Sequence, residues 1–93
     1  MMKLRTATDG LLMFYCPGCG NYHGIWTDRT GPNPLNGAKW TWNGSMDSPT
    51  FSPSVHVQKP KVCHSFVRDG RIEFLNDCEH PLAGQTVAMI DED

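Results

Sequence analysis

The residues with the clearest chemical capacity in this 93-residue chain are its four cysteines and the histidines near them. Residues 16–20 read Cys-Pro-Gly-Cys-Gly, and two thiolates spaced in this way can hold one tetrahedral metal ion from a single turn. Two coordination positions then remain for more distant ligands. Cys63-His64 and residues 78–80 (Cys-Glu-His) offer them. The spacing therefore predicts a metal site assembled from two separated parts of the chain.

The candidate ligands differ in how firmly the sequence assigns them. Cys16 and Cys19 belong to any metal site in this chain, Cys63 ranks next, and the fourth ligand is Cys78 or His80. Thiolates combined with imidazole favour zinc over magnesium or calcium, so Zn2+ is the predicted cofactor. The complete set of predicted metal ligands is Cys16, Cys19, Cys63, His64, Cys78 and His80.

The choice among the later candidates depends on the register of a hairpin that is predicted around residues 68–71. With a two-residue loop, Val67 pairs with Ile72 and Cys63 faces the metal. A three-residue loop slips this pairing by one residue and turns His64 to that side. Because a slip of one residue exchanges the two faces of a strand, the hairpin register decides between these two ligands.

Other interpretations of the same residues remain open. A Cys-Pro-x-Cys motif also begins the redox-active helix of thioredoxin-like proteins, but the Gly-rich residues 20–24 disfavour a helix here. Cys63 and Cys78 could be ordinary buried residues, since free cysteine is among the most buried residue types. His23 and His56 fit surface or core histidines better than metal ligands.

Composition and turn signals predict a mostly β fold. Hydrophobic residues make up 39% of the chain, and nine glycines and seven prolines divide it into short pieces, which favours strands and turns over long helices. We predict a small single domain over residues 1–93, with an antiparallel sheet and a zinc-ribbon-like metal clasp. Residues 48–54 are predicted as an ordered loop or edge segment, because two prolines prevent regular interior pairing. The predicted strands are 3–8, 11–15, 23–27, 39–42, 55–57, 63–66, 72–75 and 85–90.

Charge and hydropathy argue against several classes of function. The net charge is −2 and no cluster of lysine and arginine occurs, so strong binding to nucleic acid is not expected. The first residues lack the apolar stretch of a signal peptide, and no run approaches the length of a membrane span. We therefore expect a cytoplasmic protein, where reduced cysteines favour metal ligation over disulfides.

Longer stretches of the chain resemble a family of small zinc-binding proteins, encoded mostly by phages and prophages, that has no established activity. The matching residues are 16–20 with His23, 40–44, 49–55, 63–72, 74–75, 77–78, His80 and 83–87. The resemblance implies a virus-associated origin, a host-cell cytoplasmic location and a bound metal. Members sometimes carry the label ammonia monooxygenase, a chemistry of membrane-embedded copper enzymes, whereas this chain has no membrane segment.

Three functions are consistent with these features. The preferred prediction is a protein-binding module with structural zinc, which binds a host or phage protein, for example to modulate a defence factor. The second is a zinc-dependent hydrolase, in which the ion keeps a position for water and Asp77 or Glu79 acts as base. The third is a nucleic-acid-binding zinc ribbon, in which Trp40 or Trp42 stacks on bases. An enzyme is the less favoured interpretation, and no catalytic residue is assigned.

Overall fold

The computed structural model describes residues 2–7, 9–59 and 61–92 of the chain, so Thr8 of the predicted strand 3–8 lies outside the described residues. The described part forms two antiparallel sheets and contains no helix, hence none that could cross a membrane. The prediction of a mostly β, antiparallel fold is confirmed, with two sheets in place of one. The strands are β1 (Arg5–Thr6), β2 (Leu12–Cys16), β3 (Asn21–Ile25), β4 (Thr41–Trp42), β5 (Phe51–Val57), β6 (Cys63–Arg68), β7 (Arg71–Phe74) and β8 (Thr86–Ala88).

The first sheet has three strands in the order β1-β2-β3, with β2 in the centre. Along β2 the side chains of Leu12, Phe14 and Cys16 are buried, whereas the two residues between them are only partly buried. This pattern follows from the alternation of side chains across a strand. The last residue of β2 therefore places its thiol in the core, directly before the turn that carries the second cysteine.

The second sheet has five strands in the order β4-β5-β6-β7-β8. In β6 the side chains of Cys63, Ser65 and Val67 are buried, and those of His64 and Phe66 are half-buried. We call the face that carries the buried set the inner face, and the face that carries the other two residues the outer face. One hydrophobic core contains buried residues of both sheets, so the inner face packs towards the three-stranded sheet.

Residues 51–54 differ from their prediction. They belong to β5, which pairs with β4 at Phe51 and Ser52, so the prediction of a loop is wrong for this part, whereas the pairing with β4 does not reach Ser54. Proline still interrupts regular pairing in this strand, because the pairing of β5 with β6 shifts register between Phe51 and Val55. Pro53 has no N–H to donate to a ladder. Ser54 consequently stands where β5 resumes regular pairing.

The hairpin of β6 and β7 adopts the two-residue loop. Val67 lies opposite Ile72, and the loop residues Asp69 and Gly70 have φ angles of 49° and 75°. Two successive positive φ angles are typical of the type I′ turn that fits the twist of a hairpin. Of the two registers that the sequence allows, this one turns Cys63 to the inner face.

The hairpin turn generates a first prediction. Gly70→Ala should lower the free energy of unfolding by about 2 kcal/mol, because an L residue is strained at positive φ. Its added Cβ would also lie 3.3 Å from backbone atoms of Asp47 and Ser48. Gly37→Ala is the matched control, since Gly37 has a φ of 74° but no atom within 4 Å of an added Cβ. We expect the control to lose only about 1 kcal/mol in urea unfolding. Equal losses would show that crowding at the turn is unimportant.

Candidate functional site

Four of the predicted ligands converge between the two sheets. One side-chain atom from each of Cys16, Cys19, Cys63 and His80 lies within 4.8 Å of the others, and three of the four side chains are buried. Cys16 comes from the end of β2, Cys19 from the following turn, Cys63 from the start of β6, and His80 from the segment after β7. The group could therefore hold a metal ion that joins three distant parts of the chain.

The spacing of these atoms fits a tetrahedral ion. Cys16 Sγ and Cys63 Sγ are 3.8 Å apart, and Cys63 Sγ lies 3.5 Å from His80 Nε2. Around zinc with bonds of about 2.3 Å to sulfur and about 2.0 Å to nitrogen, tetrahedral angles place two sulfurs about 3.8 Å apart and sulfur and nitrogen about 3.5 Å apart. The donor set and its distances thus suit a four-coordinate site.

Gly18 makes the approach of His80 to the cysteine turn feasible. A Cβ added at Gly18 would lie 2.3 to 2.6 Å from atoms of the imidazole ring, which is closer than non-bonded atoms can come. The ring also makes an edge-to-face contact with Phe74, with 4.7 Å between ring centroids. The imidazole therefore contacts both the cysteine turn and β7.

The thiols of the cluster are electrostatically coupled. The hydrogen bond between Cys63 and Cys16 holds the pKa of the Cys16 thiol well below its usual value and raises the pKa of Cys63. Burial raises the pKa of Cys19. Because metal ligation requires deprotonated cysteine, a cation that binds here would displace the protons that these thiols still hold.

The remaining two predicted ligands, His64 and Cys78, lie outside this cluster. Cys78 Sγ accepts a hydrogen bond from His64 N (3.2 Å) and donates one to His64 O (3.1 Å), so its thiol holds the backbone of β6. His64 follows Cys63 and therefore projects from the opposite, outer face of the sheet. The structure brings four of the six candidates together in this cluster. Cys78 instead holds the β6 backbone, and His64 belongs to a second group, with His56 and Asp77, whose ligand atoms also lie within 4.8 Å of one another and could hold a metal ion.

On the outer face, His64 connects a hydroxyl and a carboxylate. Its Nε2 lies 2.9 Å from Ser54 Oγ, and its Nδ1 lies 3.1 Å from Asp77 Oδ2. A hydroxyl on one imidazole nitrogen and a carboxylate on the other is the arrangement that activates serine as a nucleophile. The ring of His56 stacks on that of His64, with centroids 4.4 Å apart and planes inclined by 26°. The carboxylate thus holds the imidazole at Nδ1 and leaves Nε2 to accept the serine proton.

Two further candidates, Glu79 and His23, make contacts that stabilise the fold. Glu79 Oε1 accepts a hydrogen bond from Val62 N, so this carboxylate ties the loop after β7 to the chain before β6. His23 is buried and packs edge-on against Phe14, with 5.5 Å between ring centroids. Neither side chain belongs to the four-residue cluster. His23 is buried, which is one of the two settings, surface or core, predicted for it, and a hydrogen bond from its imidazole contributes to lowering the pKa of Cys16.

Ser54 is the site residue that the sequence analysis missed. It lies in residues 48–54, whose serines and prolines predict a loop or edge segment, and its partner His64 is predicted as a metal ligand. The sequence shows only that Ser54 and His56 are two residues apart and would share a face if both lay in one strand. The pairing that puts His56 opposite His64 is known from the structure alone. The sequence predicts Asp77 as a base, but for metal-bound water.

The fold and these two groups define the class of protein. It is a small β protein of two sheets, with a thiol–imidazole cluster that could hold a metal on the inner side and a Ser–His–Asp arrangement on the outer face. The chain belongs to the family described as bacterial ubiquitination-like system serine protease (BubE), whose family model matches residues 1–75. The matched region includes Ser54 and His64 and ends before Asp77. No curated protein and no solved structure matches the chain.

The cluster generates a second prediction, which separates its cysteines from the fourth cysteine of the chain. Cys63→Ser should abolish stoichiometric binding of Zn2+ and lower the melting temperature, because one of four converging donors is lost. Cys78→Ser is the matched control, since Cys78 is also buried but lies outside the cluster. It should keep one Zn2+ per chain in elemental analysis. Loss of metal from the control and retention in Cys63→Ser would overturn this assignment.

Proposed function

We propose that the protein is a serine hydrolase that cleaves an acyl bond, in the manner of a protease, within a bacterial ubiquitination-like system. The observation that carries this proposal is the pair of contacts made by His64, 2.9 Å to Ser54 Oγ and 3.1 Å to Asp77 Oδ2. The family description supplies the independent support, because it names a serine protease and its matched region contains Ser54 and His64.

The geometry assigns one role to each residue. Ser54 Oγ attacks the carbonyl carbon of the substrate while its proton passes to His64 Nε2. Asp77, at Nδ1, fixes the tautomer and stabilises the imidazolium. The leaving group then takes that proton, and an acyl bond remains on Ser54 Oγ. Attack by water, with the same proton transfers, releases the acid and restores the hydroxyl.

The proposed substrate is a protein of the same system. On this proposal the protein partner would be a substrate, in place of the target of a non-catalytic binding module that the sequence analysis prefers. His64 is half-buried on a sheet face and the Asp77 side chain is 54% exposed, so the array is accessible to an extended segment of a large molecule. A deep pocket for a small substrate is not needed for such access.

We propose that the ion of the cluster is Zn2+ and that it is structural. Four protein donors fill a tetrahedral shell. The carboxylates that the sequence offers as bases for metal-bound water have other partners, Asp77 with His64 and Glu79 with Val62 N. These contacts favour serine chemistry over the zinc-dependent alternative. Because the cluster needs free thiols, which all four cysteines possess, the proposed compartment is a reducing one such as the cytoplasm.

The nucleophile generates a third prediction. A fluorophosphonate should label the wild-type protein once, at Ser54, and Ser54→Ala should abolish this labelling, as read by intact and peptide mass spectrometry. In turnover of a protein substrate of the system, Ser54→Ala should lower kcat/KM by about 10^4 or more. Ser52→Ala is the matched control, because Ser52 is an exposed serine of the same strand. Labelling that persists in Ser54→Ala would contradict the proposal.

The carboxylate generates a fourth prediction. Asp77→Asn should lower kcat by about 10^2 to 10^4, because an amide N–H at His64 Nδ1 favours the wrong tautomer. Folding should hardly change, since an exposed ion pair contributes at most about 1 kcal/mol. Glu73→Gln removes another carboxylate that pairs with Arg68 in an exposed contact and should leave kcat unaltered. Full activity of Asp77→Asn would show that this carboxylate does not assist His64.

A further inference from the structure

Beyond the catalytic residues, β5 carries an unpaired backbone edge beside the nucleophile. On this side of β5, β4 pairs only at Trp42 with Phe51 and at Thr41 with Ser52. Within the described residues no strand continues this pairing along Ser54–Val57, although the other side of β5 pairs with β6 up to Val57. An unpaired strand edge is a template for an added extended chain.

The direction of the backbone groups follows from the hydrogen bonds of β6. His64 O accepts from Leu75 N (2.9 Å), so the peptide groups of His64 face β7. The neighbouring residues of a strand face the opposite side, and Cys63 and Ser65 therefore face β5. Their partners Val57 and Val55 in turn face β6, which leaves the N–H and C=O of Ser54 and His56 directed to the unpaired edge.

Trp40 gives an independent check on this direction. Its indole Nε1–H donates to Ser54 O at 3.2 Å, which requires that carbonyl to face away from β6. The indole thus takes the place of a strand partner at Ser54. A chain that pairs with His56 must leave the plane of the sheet when it reaches Ser54. The side open to it is the outer face, where Ser54 Oγ lies.

The orientation of the nucleophile agrees with this path. The hydroxyl of Ser54 points to His64 on β6, so its free lone pairs face away from β6, towards the same edge.

We propose that the acyl side of the substrate binds as an extended strand antiparallel to β5, with the third residue before the scissile bond opposite His56. In antiparallel pairing that residue exchanges both backbone hydrogen bonds with His56. The proposal rests on the proposed function, in that the bound strand leads into Ser54.

A set of peptide probes tests the edge separately from the chemistry. The parent is acetyl-Ala-Val-Ala-Ala with a diphenyl phosphonate in place of the last carboxyl, which reacts with an activated serine. One isomer carries an N-methyl group on valine, which is the third residue counted back from the phosphonate. The other isomer carries it on the alanine that follows valine. N-methylation of valine should slow inactivation of the wild-type protein by about tenfold, because it removes the N–H that donates to His56 O. The second isomer should differ less, since the amide of that alanine faces solvent.

A second measurement needs no catalysis. In Ser54→Ala, the warhead-free peptide acetyl-Ala-Val-Ala-Ala amide should shift the NMR signal of the His56 amide and slow its hydrogen exchange, and the N-methyl-valine isomer should do neither. Equal inactivation rates for the two isomers, or an unchanged His56 amide, would overturn the strand proposal even if Ser54 is labelled. Failure of a small fluorophosphonate to label Ser54, combined with protection of His56, would overturn the proposed function and leave the strand site standing.

Discussion

The convergence of three thiols and one imidazole between the sheets is the constraint on which the rest of the structure depends. A chain of 93 residues buries too little surface for a large margin of stability. The cluster fixes the end of β2, the start of β6 and the loop after β7 against one another. If zinc occupies it, the energy of ligation becomes folding energy. The alignment of the two sheets then depends on four side chains as much as on the hydrophobic core.

This constraint extends to the outer face because both sites use the same backbone. Cys63 and His64 are consecutive, so alternation places one in the cluster and the other in the Ser–His–Asp arrangement. Asp77 stands three residues before His80, and between them Cys78 holds both backbone groups of His64. A displacement of the loop that carries His80 would therefore move the carboxylate partner of His64. Mutations that test the four-residue cluster and mutations that test the Ser–His–Asp arrangement therefore act on shared segments of the chain.

The sequence predicts the local parts of this arrangement and not the parts that depend on pairing. Cys16 and Cys19 are assignable because two cysteines in one turn need no tertiary information. Cys63 and His64 could not be distinguished, since the hairpin allowed two registers and only the observed loop at Asp69-Gly70 selects one. Ser54 was hidden because the two prolines that precede it, Pro49 and Pro53, predict a loop or edge segment, whereas β5 absorbs Pro53 through a register shift. His64 also shows that a histidine predicted as a metal ligand can have a different role.

The openness of the outer face bears on what the substrate must supply. An ion pair between Asp77 and a protonated His64 is weak in a water-filled environment, because the high dielectric constant reduces its energy. A buried array of the same residues stabilises the imidazolium more strongly and does not need its substrate to exclude water. Here a strand laid along β5 would cover Ser54 and the neighbouring surface and exclude water from the reacting atoms. On the proposed function, the bound substrate would then complete the site, and extended protein segments would be better substrates than small esters even without a deep pocket.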